Sequence, residues 1–358
     1  MKKILILLPA LILLVGCNSD NQPKGAKSDV PVKNVIYLIG DGMGLPHVNA
    51  AILESDEPLA MQRAQYTGFQ ITTCTTNKVT DSAAAGTALA TGTKTYYGAI
   101  GVGPDTARLT SVLEKAAAKG LATGIVATYR VTDATPAAFI AHVKHRGEEE
   151  AIAEAYLETP IDLFIGGGRA RFEQREDGRN LSAELADKGY QVVYTMEELA
   201  PIKSGKIAGL MHDGHLPRVI NGRDPEYLLQ ASLKAFDILS QNDKGFFVMI
   251  EGSQIDGGGH ANDIEQILTE TYDFDKVVKA AFDFADANPG TLVVVTADHE
   301  TGGLTLPAQG AGVRYAFSTG GHTGVMVPIF SYGAGAENFT GILDNTDIPN
   351  RINELLGI

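Results

Sequence analysis

Short apolar runs alternate with longer amphipathic stretches along most of the chain. Six runs, at 35–39, 124–128, 163–165, 246–250, 292–296 and 325–330, place apolar residues on consecutive rather than alternate positions, and most are rich in Val, Ile or Phe. Runs of this kind predict strands buried on both faces. Helical patterns fall between them, over 81–91, 109–119, 148–157 and 263–285. The alternation predicts an α/β fold with a mostly parallel central sheet flanked by helices on both faces. Residues 196–225 have weak periodicity and carry Gly205, Gly209, Gly214 and Gly222, so they read as an irregular excursion from the sheet. Neither heptads nor internal repeats are present.

In open parallel sheets, chemistry gathers beyond the carboxyl ends of the strands. Three predicted strands here run directly into acidic groups: Gly40-Asp41-Gly42-Met43-Gly44, Glu251-Gly252, and Asp298-His299-Glu300-Thr301-Gly302-Gly303. Carboxylates delivered to one rim repel each other unless cations lie between them. Asp256 and His260 flank three glycines, Gly257 to Gly259, which read as a tight path aiming both side chains at one ion. His322 sits in a second glycine-rich loop, 318–324. Imidazole plus carboxylate without thiolate suits Zn²⁺, and an oxygen-only set suits Mg²⁺. The remaining histidines, His47, His142, His145, His212 and His215, read as structural or surface residues.

The stretch Val79-Thr80-Asp81-Ser82-Ala83-Ala84-Ala85-Gly86-Thr87 has one acid, one serine and little bulk. It reads as a helix start, with Asp81 or Ser82 as cap. It also reads as a nucleophilic serine at a helix N-terminus, where small residues leave room for phosphate and its metals.

That stretch resembles the serine signature of alkaline phosphatases. Further motifs of the family follow in family order: Gly40 to Gly44, Asp133-Ala134-Thr135-Pro136, Glu251 to His260, Thr296-Ala297-Asp298-His299 and Gly321-His322-Thr323-Gly324. The match runs from Asn34 to the C-terminus. The resemblance implies a metal-dependent phosphomonoesterase that forms a phosphoserine at Ser82. It implies two Zn²⁺ and one Mg²⁺ per chain. Asp41, Asp298 and His299 would hold one zinc, and Asp256, His260 and His322 the other. Asp41, Thr135 and Glu251 would hold the magnesium. Arg146, in His142-Val143-Lys144-His145-Arg146, would grip two phosphate oxygens. Asp133 matches an aspartate of one bacterial branch, set behind the ligands.

Two departures stand out. Gly257 occupies a position where relatives often carry Lys, His or Trp, so weaker retention of product phosphate is expected. Only residues 300–321 separate His299 from His322, too few for the large dimer-capping crown of many relatives. Dimerisation through a crown is therefore not expected, and a monomer or a homodimer through another surface stays open. A phosphodiesterase of the same superfamily would lack the magnesium set and the arginine, whereas Glu251, Thr135 and Arg146 are present. A sulfatase would need a Cys/Ser-x-Pro-x-Arg signature, which residues 82–86 do not show. A non-catalytic lipoprotein that binds phosphate or metal would have no use for Ser82.

Composition adds the setting. The 358 residues are 44% hydrophobic and 20% charged, enough for one large globular core. Lys2 and Lys3 precede an apolar run at 4–15, too short to span a membrane but suited to a signal segment. It ends in Leu14-Val15-Gly16-Cys17, which resembles the lipobox of bacterial lipoproteins, with Cys17 as the lipidated residue. A polar tether follows. The expected organisation is a signal peptide at 1–16, a tether at 17–30 and one catalytic domain at 31–358, exported and lipid-anchored at the periplasm or cell surface. Lipidation of Cys17 would leave Cys74 without a disulfide partner. The formal charge of −14 argues against a nucleic-acid-binding role. It does not exclude anionic substrates, because a metal cluster outweighs it locally.

Overall fold

The computed structural model describes residues 30–358; the signal, Cys17 and nearly all of the tether expected before them lie outside the described residues. Ten strands build one sheet: β1 (Asn34–Gly40), β2 (Tyr66–Ile71), β3 (Ala122–Arg130), β4 (Leu163–Gly167), β5 (Tyr190–Val193), β6 (Lys206–His212), β7 (Phe246–Gly252), β8 (Thr291–Thr296), β9 (Val327–Gly333) and β10 (Gly341–Asp344). Their order is β10-β2-β9-β8-β1-β7-β3-β4-β6-β5. Only β9 runs against the others, pairing antiparallel with β8 and β2.

The consecutive apolar runs are explained by two cores. Along β1, Val35, Tyr37 and Ile39 enter one core while Ile36 and Leu38 enter the other. Eight α-helices among the described residues are eight residues long or more: α1 (Leu45–Glu54), α2 (Ser82–Thr91), α3 (Val112–Lys119), α4 (Glu149–Glu158), α5 (Tyr227–Leu239), α6 (Gln254–Ala261), α7 (Ile264–Ala287) and α8 (Asp347–Leu356). Apolar residues of α2, α3, α4 and α8 cover the first face, and those of α1, α5 and α7 the second. α3 starts at a capping box, in which Ser111 Oγ accepts from Glu114 N and Glu114 Oε2 accepts from Ser111 N. α2 is buried at every position, which its alanines, glycine and small threonines permit.

The segment 196–225 departs from expectation. It contains β6, which lies inside the sheet and pairs parallel with both β4 and β5, so it is not an excursion. Gly209 hides the strand in the sequence, yet the packing demands it: a Cβ there would stand 2.9 Å from Met211 and 3.2 Å from Ile165. β2 and β10 were equally faint, because residues such as Phe69, Ile71 and Ile342 face outward.

The same segment is pinned by a buried ion cluster. Arg223 Nη2 donates to Glu270 Oε2 at 2.6 Å and Asp273 Oδ2 at 2.7 Å, both on α7. All three side chains are 2–3% exposed. Arg223→Ala would leave two buried carboxylates facing each other, and a loss of about 3–5 kcal/mol is expected in equilibrium urea unfolding. A loss below about 1 kcal/mol would show that water or rearrangement replaces the guanidinium.

Between β8 and β9, three two-stranded ribbons are the strand structure among the described residues. They pair Leu304–Thr305 with Ala316–Phe317, Ala308–Gln309 with Gly312–Val313, and His322–Thr323 with Glu300–Thr301. No large crown rises there.

Candidate active site

The site forms where β7, β1 and β8 end side by side. Ile39 pairs with Glu251 on one flank and Thr296 on the other, so Asp41, Glu251 and the Asp298-His299 pair emerge together. Gly42 makes the turn after β1 at φ +69°, a conformation that favours glycine. Its N–H donates to Asp298 Oδ1 at 3.0 Å, and a Cβ there would stand 2.9 Å from the Asp256 backbone.

Both proposed zinc sets are brought together. His299 Nε2 lies 3.4 Å from Asp41 Oδ1 and 3.2 Å from Asp298 Oδ2. His260 Nε2 lies 3.3 Å from Asp256 Oδ2 and 3.3 Å from His322 Nε2, and His322 Nε2 is 3.8 Å from Asp256 Oδ1. The rings of His299 and His322 stack at 3.6 Å between centroids, so the sets are adjacent. The glycine run is not a loop: Asp256 and His260 sit four apart on helix α6 and so face one way. Gly259 lets α6 dock closely, since a Cβ there would stand 2.7 Å from the Thr301 carbonyl. Thr301, not singled out in the sequence, joins the two sets: its Oγ1 donates to Asp256 Oδ1 at 2.6 Å and lies 3.1 Å from His299 Nδ1.

Four oxygens of this centre are buried without a hydrogen-bond partner: Asp41 Oδ1, Thr135 Oγ1, Glu251 Oε2 and Asp298 Oδ2. Burying a carboxylate unpaired is expensive. Burial, reinforced by Asp298, Asp256 and Glu251, pushes the Asp41 carboxyl well above its ordinary range. Burial also lifts Glu251 to about 8. Burial works against ionised Asp298 too, but His299 beside it holds that carboxyl down at about 2. His299 in turn is raised despite its burial, because Asp298, Asp256 and Asp81 surround it. Carboxylates, imidazoles and one hydroxyl without thiol, with orphaned oxygens among them, fit bound divalent cations.

Ser82 opens α2. Its Oγ lies 3.1 Å from His299 Nε2. The helix cap is Asp81, whose Oδ1 accepts from Ala84 N and Gly98 N, both at 3.1 Å. The other oxygen of Asp81 accepts from Arg146 Nη1 at 3.4 Å, while Arg146 Nη2 donates to Asp133 Oδ1 at 3.0 Å. Asp81 is therefore both cap and arginine anchor; the sequence showed only the cap. Asp133 also caps Ala134 N at 2.7 Å and faces Arg130 and His215. Burial acts to raise the Asp133 carboxyl, yet Arg146, His215 and Arg130 hold it below its ordinary value.

Of the structural and surface roles open to it, His215 takes the structural one, beside the arginine clasp. Its Nε2 is 3.7 Å from Asp133, and its ring packs on Tyr129 at 3.9 Å. Tyr129 also borders Gly257: a Cβ there would stand 2.9 Å from Gln266 Nε2 and 3.1 Å from the Tyr129 phenol oxygen. The other histidines sit in structural contacts. His142 bridges the Gly101 carbonyl and Glu114, His145 and His212 close local turns, and His47 is buried and held neutral, down to about 4.

The family model for alkaline phosphatase matches residues 32–315. Alkaline phosphatase 4 of Bacillus subtilis is 34% identical, over 91% of this chain and 89% of its own. That alignment runs over 412 positions against 358 residues here, so the relative carries segments that this chain lacks. Alkaline phosphatase of Escherichia coli is 32% identical over 92% of this chain and 87% of its own. Among solved structures, the alkaline phosphatase from the Antarctic bacterium TAB5 superposes with a TM-score of 0.89 at 38% identity, covering 92% of this chain and 99% of that one. A variant of that enzyme, with Mg bound in its M3 site, superposes at 0.87. A sheet that ends in paired carboxylate–imidazole sets, a serine at the start of a buried helix and these matches lead to one assignment: the chain belongs to the alkaline phosphatase family of metal-dependent phosphomonoesterases.

Proposed function

We propose that this chain hydrolyses phosphate monoesters through a phosphoserine at Ser82, with two zinc ions and one magnesium ion. The observation that carries the reading is the placement of Ser82 Oγ against His299, beside an Arg146 fork fixed by Asp81 and Asp133. Asp41, Asp298 and His299 would hold one zinc, Asp256, His260 and His322 the second, and Asp41, Thr135 and Glu251 the magnesium. Bound cations of this kind supply Lewis acidity, favouring an ionised nucleophile and offsetting charge on the phosphoryl group.

The chain's own residues do the rest. Ser82 Oγ attacks phosphorus, the bond from phosphorus to the ester oxygen breaks, and the alcohol leaves. Water then cleaves the phosphoserine, restoring Ser82 and releasing inorganic phosphate. The amino end of α2 favours the anion at Ser82. Arg146 offers two donors in one plane to two phosphate oxygens. Asp133 and Asp81 aim that plane before substrate arrives.

Comparing an aryl phosphate monoester with the matching diester tests the reading, and a large monoester preference lost on chelation is expected. Arg146→Ala is expected to lower kcat/KM for the monoester by about 10²–10³-fold and to narrow the monoester-to-diester ratio, since a diester offers one anionic oxygen fewer. An unchanged ratio would remove Arg146 from the substrate side.

We also infer an exported, lipid-anchored form with Cys17 as the modified residue. Support comes from the Leu14-Val15-Gly16-Cys17 sequence. No helix among the described residues is long and apolar enough to cross a membrane. Incorporation of labelled fatty acid, lost in Cys17→Ala, is the expected result.

A further inference from the structure

A cavity of about 500 Å³ opens beside the Asp256–His260–His322 set, lined by Asn77, Lys78, Val79, Tyr97, His260 and His322. Its wall is built rather than loose. Cys74 N donates to the Asn77 carbonyl at 3.1 Å, Thr75 N to the Thr95 carbonyl at 2.8 Å, and Tyr97 N to Thr76 Oγ1 at 3.1 Å. His322 is tied to the same strip by its Nδ1, 2.9 Å from the Thr80 carbonyl. Two features of the lining are otherwise unexplained. Tyr97 is 51% exposed and Val79 39%, both large apolar residues left facing water. Lys78 is exposed and forms no ion pair within 4.0 Å among the described residues, in a chain of net charge −14.

The cavity's position gives it a role. Ser82 Oγ sits against His299, on the side of the Asp41–Asp298–His299 set. In-line displacement sends the leaving oxygen away from the nucleophile, toward the other set. An alcohol part leaving on that side would enter this cavity, which borders His260 and His322. We infer that the Asn77–Tyr97 cavity is a leaving-group subsite that favours aryl phosphate monoesters whose ring carries an anionic group of its own. Tyr97 and Val79 take the flat ring, and Lys78 pairs with the anion. The inference rests on the phosphomonoesterase reading above and narrows it to a substrate class.

The test uses the metal-loaded protein and three substrates. They are 4-(carboxymethyl)phenyl phosphate, its methyl ester, which has a phenol of nearly equal acidity, and glycerol 1-phosphate, which has neither ring nor second anion. At low salt the acid is expected to exceed its methyl ester in kcat/KM by about three- to tenfold, with the gap closing as salt is added. Lys78→Ala should erase that gap and leave the methyl ester and glycerol phosphate as in the parent, and Lys78→Glu should invert it. Tyr97→Ala should lower both aryl esters by about three- to tenfold and spare glycerol phosphate. Equal rates for the acid and its ester in the parent, or a Lys78→Ala effect shared by all three substrates, would overturn the subsite alone. Failure of the parent to hydrolyse glycerol phosphate as well as the aryl esters would overturn the phosphomonoesterase reading and the subsite with it.

Discussion

Ser82→Ala is expected to lower kcat for a phosphate monoester by at least about a thousandfold while leaving the fold and divalent-metal uptake in place. The expectation follows from how little else Ser82 does. Its side chain is buried and its Oγ meets His299 Nε2. The helix behind it is capped by Asp81, not by the serine. Alanine is the best helix former, so α2 should start as before and unfolding should shift by less than about 1 kcal/mol. Asp81→Ala offers the contrast. It removes the cap, worth about 0.5–2 kcal/mol, and also one of the two carboxylates that orient Arg146. Both variants should be slow, but only the second should be unstable. Full turnover by Ser82→Ala would exclude the covalent route.

Chelation is expected to make the protein's stability fall steeply as pH rises from about 5 to about 8, and re-addition of divalent metal should flatten the profile. In the metal-free fold Glu251 keeps its proton up to about 8, whereas in the unfolded chain it releases it near the ordinary value of 4.5. Between those values the folded state binds more protons, so its stability is lost as pH rises. A shift of that size corresponds to a loss on the order of 3–5 kcal/mol. Asp41 and His299, both raised, act in the same direction, whereas His322, held down at about 4 mainly by burial, opposes them between about 4 and 6.5, so the steepest fall lies above about 6.5. Asp298, held down at about 2, contributes stability that is lost only on acidification below the ordinary carboxylate value of 3.8, outside this window. Asp273 is raised to about 6 mainly by burial, but it lies in the Arg223 cluster and affects loaded and stripped protein alike. The difference between the two unfolding profiles isolates the centre. Identical profiles with and without chelator would show that these carboxylates are not relieved by metal.

What the sequence revealed, and what it did not, follows from range. β1, β7 and β8 are each bound by neighbours on both sides and both faces, so their apolar runs are unbroken and the acids that follow them are conspicuous. β6 also has a neighbour on each side, but Gly209 breaks its run, and helix α6 is disguised by three glycines that suggest a loop. The ligand sets emerged from family motifs, each of them local. Contacts joining distant segments left no local mark: the Arg146 clasp by Asp81 and Asp133, the Thr301 link, and Tyr129 against Gly257 and His215. Asp81 had a local reading already, as a cap, and that reading masked the second one.

The order of strands across the sheet has a consequence for how the chain comes off the ribosome. β1 is made first but is flanked by β7 and β8, and Gly42 and Asp298, which it brings into contact, are 256 residues apart. Until those partners are synthesised, Val35 to Ile39 presents two bare hydrogen-bonding edges and two greasy faces. Such a segment invites mispairing with other chains. The sheet thus cannot close around β1 until β7 and β8 have been made, and the ligand sets stay incomplete until His322 has followed them.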